Sequence, residues 1–447
     1  MIQPGIFKAN DIRGLVGVEW DAEGARSIGA AFADAFELTG KEFVLGRDMR
    51  LGGPELSQAF TEGAMSRGAS VIDVGLASTD GLWFASGRFG VPGVQFTASH
   101  NPGGYNGIKF CQADAYPISP EQMATITALS FEELPDLEIS TSYRQVADLT
   151  ETYAAKLHSL VELDGMRRLK VVVDAGNGMA GLTTPAVLGT LDIDLIGLYL
   201  DLDGTFPNHP ANPLEPQNLV DAQQAVLANQ ADLGLVFDGD ADRCFIIDEL
   251  GQVVSPSVIT ALIARAELAR EPGGTIVINT ITSRLVNEVV AAAGGEVVVS
   301  AVGHTRMKAK MAEHNAVFGG EHSAHYYFRD FWGADTGMLA ALHVLSLLGR
   351  APSMSALAAE LPSYDASGEI NSTVADAATA MKSVAARLGG QGVVTWTDGL
   401  LIKGDDWWVS VRESNTEPLL RLNVEARTDD RMVELRDAAL ELIRKEP

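Results

Sequence analysis

Lys170-Val171-Val172-Val173-Asp174-Ala175-Gly176-Asn177-Gly178-Met179-Ala180-Gly181 reads as a buried strand, a tight glycine turn and the entry to a helix. Phe43 to Gly46 and Thr275 to Asn279 are apolar runs of the same kind, each ending in a loop of polar or small residues that leads into a helix. The weak similarity of the three predicts three related α/β units. Further strands are expected at Ser70 to Val74, Leu233 to Phe237 and Cys244 to Ile247, and helices at Glu55 to Arg67 and Pro256 to Arg270.

After about residue 363 the pattern changes. Leu400 to Ile402, Trp407 to Val411 and Leu419 to Ala426 read as short strands, Val374 to Leu388 as a helix, and Thr428 as the cap of a last helix running to Lys445. The expected fold class is therefore α/β: three related domains with mixed sheets and a smaller C-terminal α+β domain. The polar segment Leu134 to Tyr143 and the turn Asp248-Glu249-Leu250-Gly251 set the expected boundaries, giving units 1–145, 146–248, 249–362 and 363–447.

Composition narrows the function. With 447 residues, 46% hydrophobic and 21% charged, the chain is ordinary globular material, too long for one core. A net charge of -26 argues against nucleic acid, because neutralising phosphates needs clustered Lys and Arg; an anionic substrate would need local positive charge. Cys111 and Cys244 are the only cysteines and lack metal-site spacing, which fits a reducing compartment without a disulfide framework. The N-terminus shows no basic-then-apolar signal, and no apolar run reaches the ~18 residues of a membrane span, so a cytoplasmic protein without membrane partners is expected.

Chemistry is concentrated in a few loops. Val91 to Phe96 feeds Thr97-Ala98-Ser99-His100-Asn101-Pro102-Gly103-Gly104-Tyr105-Asn106-Gly107-Ile108-Lys109, whose Asn-Pro, Gly-Gly and Asn-Gly pairs predict a tight, exposed loop. His100, the cation of Lys109 and the free N–H groups of the glycines are what a serine bearing phosphate would want around it. Asp238-Gly239-Asp240-Ala241-Asp242-Arg243 places three carboxylates at alternate positions, a set of hard oxygen ligands suited to Mg²⁺. An EF-hand is excluded, since Arg243 stands where that loop needs glycine and the flanks read as strands.

Two more loops carry weaker signals. In Gly319-Gly320-Glu321-His322-Ser323-Ala324-His325, Glu321 and Ser323 are able to hold neighbouring sugar hydroxyls. In Arg412-Glu413-Ser414-Asn415-Thr416-Glu417-Pro418 the guanidinium fork and the neutral donors of Ser414, Asn415 and Thr416 suit a phosphate. Gly176, Gly178 and Gly181 also satisfy G-x-G-x-x-G, with Asp201 about 20 residues on, the pattern of a nicotinamide-dependent oxidoreductase. Pro185 falls where the phosphate-binding helix should continue, so close packing is the favoured reading of these glycines.

T-A-S-H-N-P, D-G-D-A-D-R, G-E-H-S-A-H and R-E-S-N-T-E-P, in this order along the whole chain, resemble the α-D-phosphohexomutase superfamily. The stretch Gly319 to Asp335 is most similar to bacterial phosphomannomutases. The resemblance implies four domains around a central cleft, a phosphoserine at Ser99, and Mg²⁺ between Ser99, Asp238, Asp240 and Asp242. It implies Arg13, His100 and Lys109 as proton-transfer and charge-stabilising partners. Substrate is expected against Arg243, His304, Lys308, Glu321, Ser323, His325, Arg412, Ser414, Asn415 and Thr416.

The implied activity is interconversion of mannose 6-phosphate and mannose 1-phosphate through a hexose 1,6-bisphosphate, which also serves as activator. Glucose phosphates, or both sugars, are the alternative, and a phosphoglucosamine mutase a more distant one. A monomer or homodimer is expected. His322 and Asn10 depart from common residues of the family, and no lysine stands near Thr280 to Ser283, leaving His304 or Lys308 as another phosphate-binding group.

Overall fold

The computed structural model describes residues 1–137, 140–146, 148–413 and 419–444. Among these, the strands form four sheets. In the first three, a central strand with a buried apolar run has a parallel neighbour on each side: Glu42–Arg47 between Gly93–Phe96 and Ser70–Leu76, Leu169–Asp174 between Leu233–Phe237 and Ile193–Leu198, and Thr275–Asn279 between Phe318–Gly320 and Glu296–Ser300.

Each of these sheets is then extended by an antiparallel strand paired to the same relative neighbour: Tyr105–Cys111, Cys244–Asp248 and Tyr326–Phe328. The repeat anticipated from three apolar runs is thus one topology built three times. Strands buried on both faces by crossover helices read as continuous Val, Ile and Leu runs, which is why Leu233–Phe237 and Thr275–Asn279 coincide with the expected strands to the residue. The strand Tyr143–Gln145 adds to the edge of the first sheet beyond Ser70–Leu76.

The fourth sheet is antiparallel throughout, in the order Asp365–Thr373, Leu419–Ala426, Trp407–Glu413, Leu400–Lys403, Val393–Thr395. Helices Ala377–Leu388 and Asp429–Ile443 pack with it. The first of these starts three residues later than expected, where Asp376 accepts from the N–H of Thr379 and so caps it. Thr428 does stand at the N-cap of the last helix, but its side chain makes no capping bond; Asp429 and Asp430 in the first turn face the helix dipole instead. Lys445 lies outside the described residues.

The apolar core of the C-terminal domain is separate from the others. A small cluster of Ile281, Leu401 and Trp408 joins it to the third domain, whereas one continuous core runs through the second and third domains and includes Trp83 and Phe84 of the first. No helix among the described residues is long and apolar enough to cross a membrane.

Candidate active site

Five polar residues of the central cleft stand just past the carboxyl ends of strands, the position where open α/β sheets gather ligands. Arg50 follows Glu42–Arg47, Thr79 follows Ser70–Leu76, Ser99 follows Gly93–Phe96, Asp238 follows Leu233–Phe237 and Glu321 follows Phe318–Gly320. Asp11 and Arg13 come from Asp11–Leu15, which pairs antiparallel with Tyr105–Cys111 and sets Asp11 opposite Lys109.

The serine loop and the aspartate loop meet. Ser99 Oγ donates to Asp238 Oδ2 at 3.0 Å, and a Cβ on Gly239 would stand 2.5 Å from the Ser99 carbonyl oxygen, so only glycine permits this approach. The turn of the loop is exposed at Pro102 and Gly104, but the serine is not: Ser99 is 3% exposed, because the aspartate loop covers it and Arg50 is packed beneath. Ser99 also has φ = 50°, a left-handed conformation that costs a non-glycine residue of the order of 1 kcal/mol.

Lys109 Nζ lies 2.7 Å from Asp240 Oδ2 and 2.5 Å from Asp242 Oδ2. Thr79 Oγ1 donates to Asp240 Oδ2 at 2.6 Å, and the Thr79 N–H to the Asp240 carbonyl at 3.0 Å. Arg243 Nε and Nη2 both reach Asp238 Oδ2, at 2.9 and 2.8 Å. Burial pushes the carboxyl of Asp238 up despite this arginine. For Asp240 burial pulls the same way, but the ammonium of Lys109 and the hydroxyl of Thr79 outweigh it and hold the carboxyl low.

Ligand atoms of Asp238, Asp240 and Asp242 lie within 4.8 Å of one another. Asp240 Oδ1 and Asp242 Oδ1 are buried without a hydrogen-bond partner. Buried carboxylate oxygens left without a donor are costly, and a hard cation satisfies them; the cluster is able to hold a metal ion.

His100 Nδ1 stands 3.2 Å from Ser99 Oγ and accepts from Arg243 Nη2 at 2.7 Å. Burial, then the charges of Arg243 and Arg13, hold its pKa well below the ordinary range, so the ring is neutral. Arg13 donates from Nε to Asp11 Oδ2 at 2.9 Å and from Nη1 to Asn101 Oδ1 at 3.1 Å.

On the third domain, Glu321 is buried and fixed by Asn279 Nδ2 at 3.0 Å, the Gly303 N–H at 3.3 Å and the Tyr327 hydroxyl at 2.6 Å. Ser323 Oγ is 2.8 Å from His325 Nδ1, and His325 Nε2 is 3.6 Å from Asp242 Oδ1. A bridge between Arg243 and His325 joins the aspartate loop to this one. His304 opens the helix His304–Glu313, and burial pushes its pKa down to about 4. Lys308 is buried, with its ammonium 2.6 Å from Asp335 Oδ1 and 4.1 Å from the centre of the Trp83 ring; it ties the third domain to the first.

Arg412 is not gathered with these groups. Its Nη2 donates to Glu369 Oε2 at 2.7 Å, within the fourth sheet. Ser414, Asn415 and Thr416 lie outside the described residues. The glycines of the dinucleotide-like pattern are filled by protein: a Cβ on Gly178 would meet the Gly239 carbonyl oxygen at 2.6 Å, and one on Gly181 the Leu200 carbonyl oxygen at 2.0 Å. No pyrophosphate fits there.

Three participants escaped the sequence reading. Arg50 donates to four carbonyl oxygens of the serine loop, those of Ser99, Asn101, Pro102 and Tyr105, and its charge faces Asp48 Oδ2 at 3.2 Å. The signal was a charged pair immediately after an apolar strand. Thr79 and Asp335 carried no local signal, because their partners lie far away in sequence.

Comparison with known proteins gives consistent results. Residues 4–135, 151–251, 255–364 and 369–442 match, in that order, the families described as phosphoglucomutase/phosphomannomutase alpha/beta/alpha domains I, II and III and C-terminal domain. A phosphomannomutase of Salmonella montevideo is 39% identical over 444 residues, covering 96% of either chain. A protein of Xanthomonas campestris pv. campestris named for phosphohexose mutases is 39% identical over 436 residues, covering 96% of this chain and 97% of its own. The crystal structure of a phosphoglucomutase/phosphomannomutase family protein from Burkholderia thailandensis superposes with a TM-score of 0.91 at 34% identity, over 99% of this chain and 98% of that one.

Proposed function

The chain belongs to the phosphoglucomutase/phosphomannomutase family, and from that premise we propose that it interconverts mannose 6-phosphate and mannose 1-phosphate by way of a phosphoserine at Ser99. The observation that carries this reading is the contact of Ser99 Oγ with Asp238, at the edge of three converging buried carboxylates. Relatives named phosphomannomutase, aligned over nearly the whole chain, support mannose as the sugar.

In this cycle the bond between Ser99 Oγ and phosphorus breaks as the free hydroxyl of the hexose monophosphate forms its own bond to phosphorus. A hexose bisphosphate results. It turns round in the cleft, and the phosphoryl group first carried by the substrate passes to Ser99, leaving the isomeric monophosphate. Free hexose 1,6-bisphosphate primes an unphosphorylated Ser99 by the same transfer.

Asp238, Asp240 and Asp242, with a phosphoryl oxygen on Ser99, would hold Mg²⁺, which supplies positive charge to the oxygens between which the phosphoryl group moves. Arg243 and Arg13 bring further positive charge to that point. His100, held neutral beside Ser99, is able to take the proton of the attacking hydroxyl once its Nδ1 is released from Arg243 Nη2, and Lys109 is its cationic partner in charge stabilisation. Glu321, Ser323 and His325 face the sugar, while His304 and Arg412 with Ser414 to Thr416 receive the phosphate that is not reacting. Lys308, committed to Asp335, acts from behind His304.

Turnover of mannose 1-phosphate and glucose 1-phosphate, measured in parallel with Mg²⁺ and a trace of the matching bisphosphate, tests the reading. Faster turnover of the mannose ester is expected. Equal rates would make the enzyme indifferent to the sugar, and no turnover of either would overturn the assignment.

A further inference from the structure

A cavity of about 560 Å³ lies away from the central cleft, at the seam between the first and second domains. One wall is the carboxyl edge of Glu42–Arg47 and Ser70–Leu76, and the other is the start of helix Thr150–Leu160 together with Leu182 and Thr183 of helix Ala180–Val187. Val74, Leu76, Val146, Leu149 and Leu182 give it an apolar body, and Leu76 is 42% exposed, a cost that an occupant would remove.

Among the described residues, two polar groups on this wall make no side-chain hydrogen bond or ion pair. Arg47 is half-buried and, among the described residues, makes no ion pair or side-chain hydrogen bond, its charge reaching only as far as the Tyr143 hydroxyl, although the chain holds 59 acidic residues against 33 basic ones. Thr183 is 4% exposed, and its hydroxyl is buried without a hydrogen-bond partner. Asp148, the carboxylate on the rim, is turned onto the N–H of Thr150 at 2.9 Å. A guanidinium beside an apolar hollow matches a compact single negative charge attached to a hydrocarbon body. A phosphate dianion would ask for more donors than the wall offers.

We propose that this cavity is a second binding site, for a small carboxylate with an apolar chain. Arg47 pairs with the carboxylate, and the chain lies along Leu76, Leu149 and Leu182. The site shares Ser78 and Tyr153 with the active-site frame, since both hydroxyls donate to Asp80, at 2.5 and 2.6 Å. The residue between Ser78 and Asp80 is Thr79, which holds Asp240. The inference does not depend on the catalytic reading.

Calorimetric titration of the full chain with butanoate, hexanoate and octanoate tests it. One saturable site is expected, with affinity rising roughly tenfold for each two methylenes added. Arg47→Gln should weaken octanoate about tenfold or more. Leu182→Trp, which places an indole in the cavity, should abolish binding. Thermal melts show whether each variant is folded; Arg47 has no ion pair to lose among the described residues, so Arg47→Gln remains decisive if Leu182→Trp fails to fold. Absence of saturation below about 10 mM, or octanoate affinity unchanged in Arg47→Gln or in folded Leu182→Trp, overturns the proposal.

Discussion

Arg50 Nη2 donates to the carbonyl oxygen of Ser99 at 2.7 Å, across 49 residues of sequence. The same guanidinium holds three more carbonyls of that loop, and the ring of Phe206 lies over it at 5.0 Å. The backbone of Ser99 is therefore positioned by a buried cation that does not itself face the Ser99 hydroxyl.

Arg50→Lys keeps the charge beside Asp48 but cannot reach four acceptors at once. Turnover should fall by about 10²-fold through misplacement of Ser99, with a loss of roughly 2–3 kcal/mol of stability from carbonyls left without donors. Steady-state kinetics and chemical denaturation of the same preparation measure both.

Ser99→Ala should abolish mutase turnover and leave the fold intact. Because Ser99 has φ = 50°, Ser99→Gly should be more stable than Ser99→Ala by about 1 kcal/mol. The difference is read from denaturation midpoints, and equal stability of the two would refute the strained backbone.

Asp240 and Asp242 each keep a buried oxygen without a donor. Mg²⁺ at 100 times its dissociation constant should stabilise the protein by about 2.7 kcal/mol, seen as a rise in melting temperature that a chelator reverses. In Asp242→Asn the shift should largely vanish. A chelator-independent melting temperature in the unmodified chain would contradict the metal site.

His343 is 5% exposed, stacked on Phe328 at 5.1 Å, and burial pushes its pKa down to about 3. The unfolded chain takes up that proton near pH 6.5 while the native state does not. Stability from this group is complete above pH 6.5 and is lost as pH falls toward 3, about 2 kcal/mol of it by pH 5. Asp48 and Asp80, pushed up to about 6 by burial, act in the opposite sense: the native state takes up their protons first, which favours it as pH falls through 6. His343→Phe leaves those two in place, so the variant should lose about 2 kcal/mol less than the parent between pH 7 and 5 in denaturant titrations.

The α/β repeat was legible because its central strands are buried on both faces, and such strands carry runs of consecutive apolar residues, Phe43 to Leu45, Val171 to Val173 and Ile276 to Ile278. Leu419–Ala426 coincides with the expected strand to the residue, since Leu420, Leu422, Val424 and Ala426 alternate with Arg421, Asn423 and Glu425, the period of two of a strand. The aspartate triplet was legible too: carboxylates placed alternately after a buried strand have few structural uses. Helix starts were less so; Val374 was taken as helical where Asp376 supplies the cap.

The sequence by itself determined the strand-and-helix order, the excess of acid and the loops that carry the chemistry, because local conformation and charge depend on neighbours in the chain. Tertiary structure alone decided that Ser99 is buried, that Arg50 and Thr79 hold the serine and aspartate loops, that Lys308 is spent on Asp335, and that Arg47 makes no ion pair among the described residues. Those outcomes depend on which strand ends meet across the cleft, over separations of 27 to 161 residues. No local rule of composition or period contains that information.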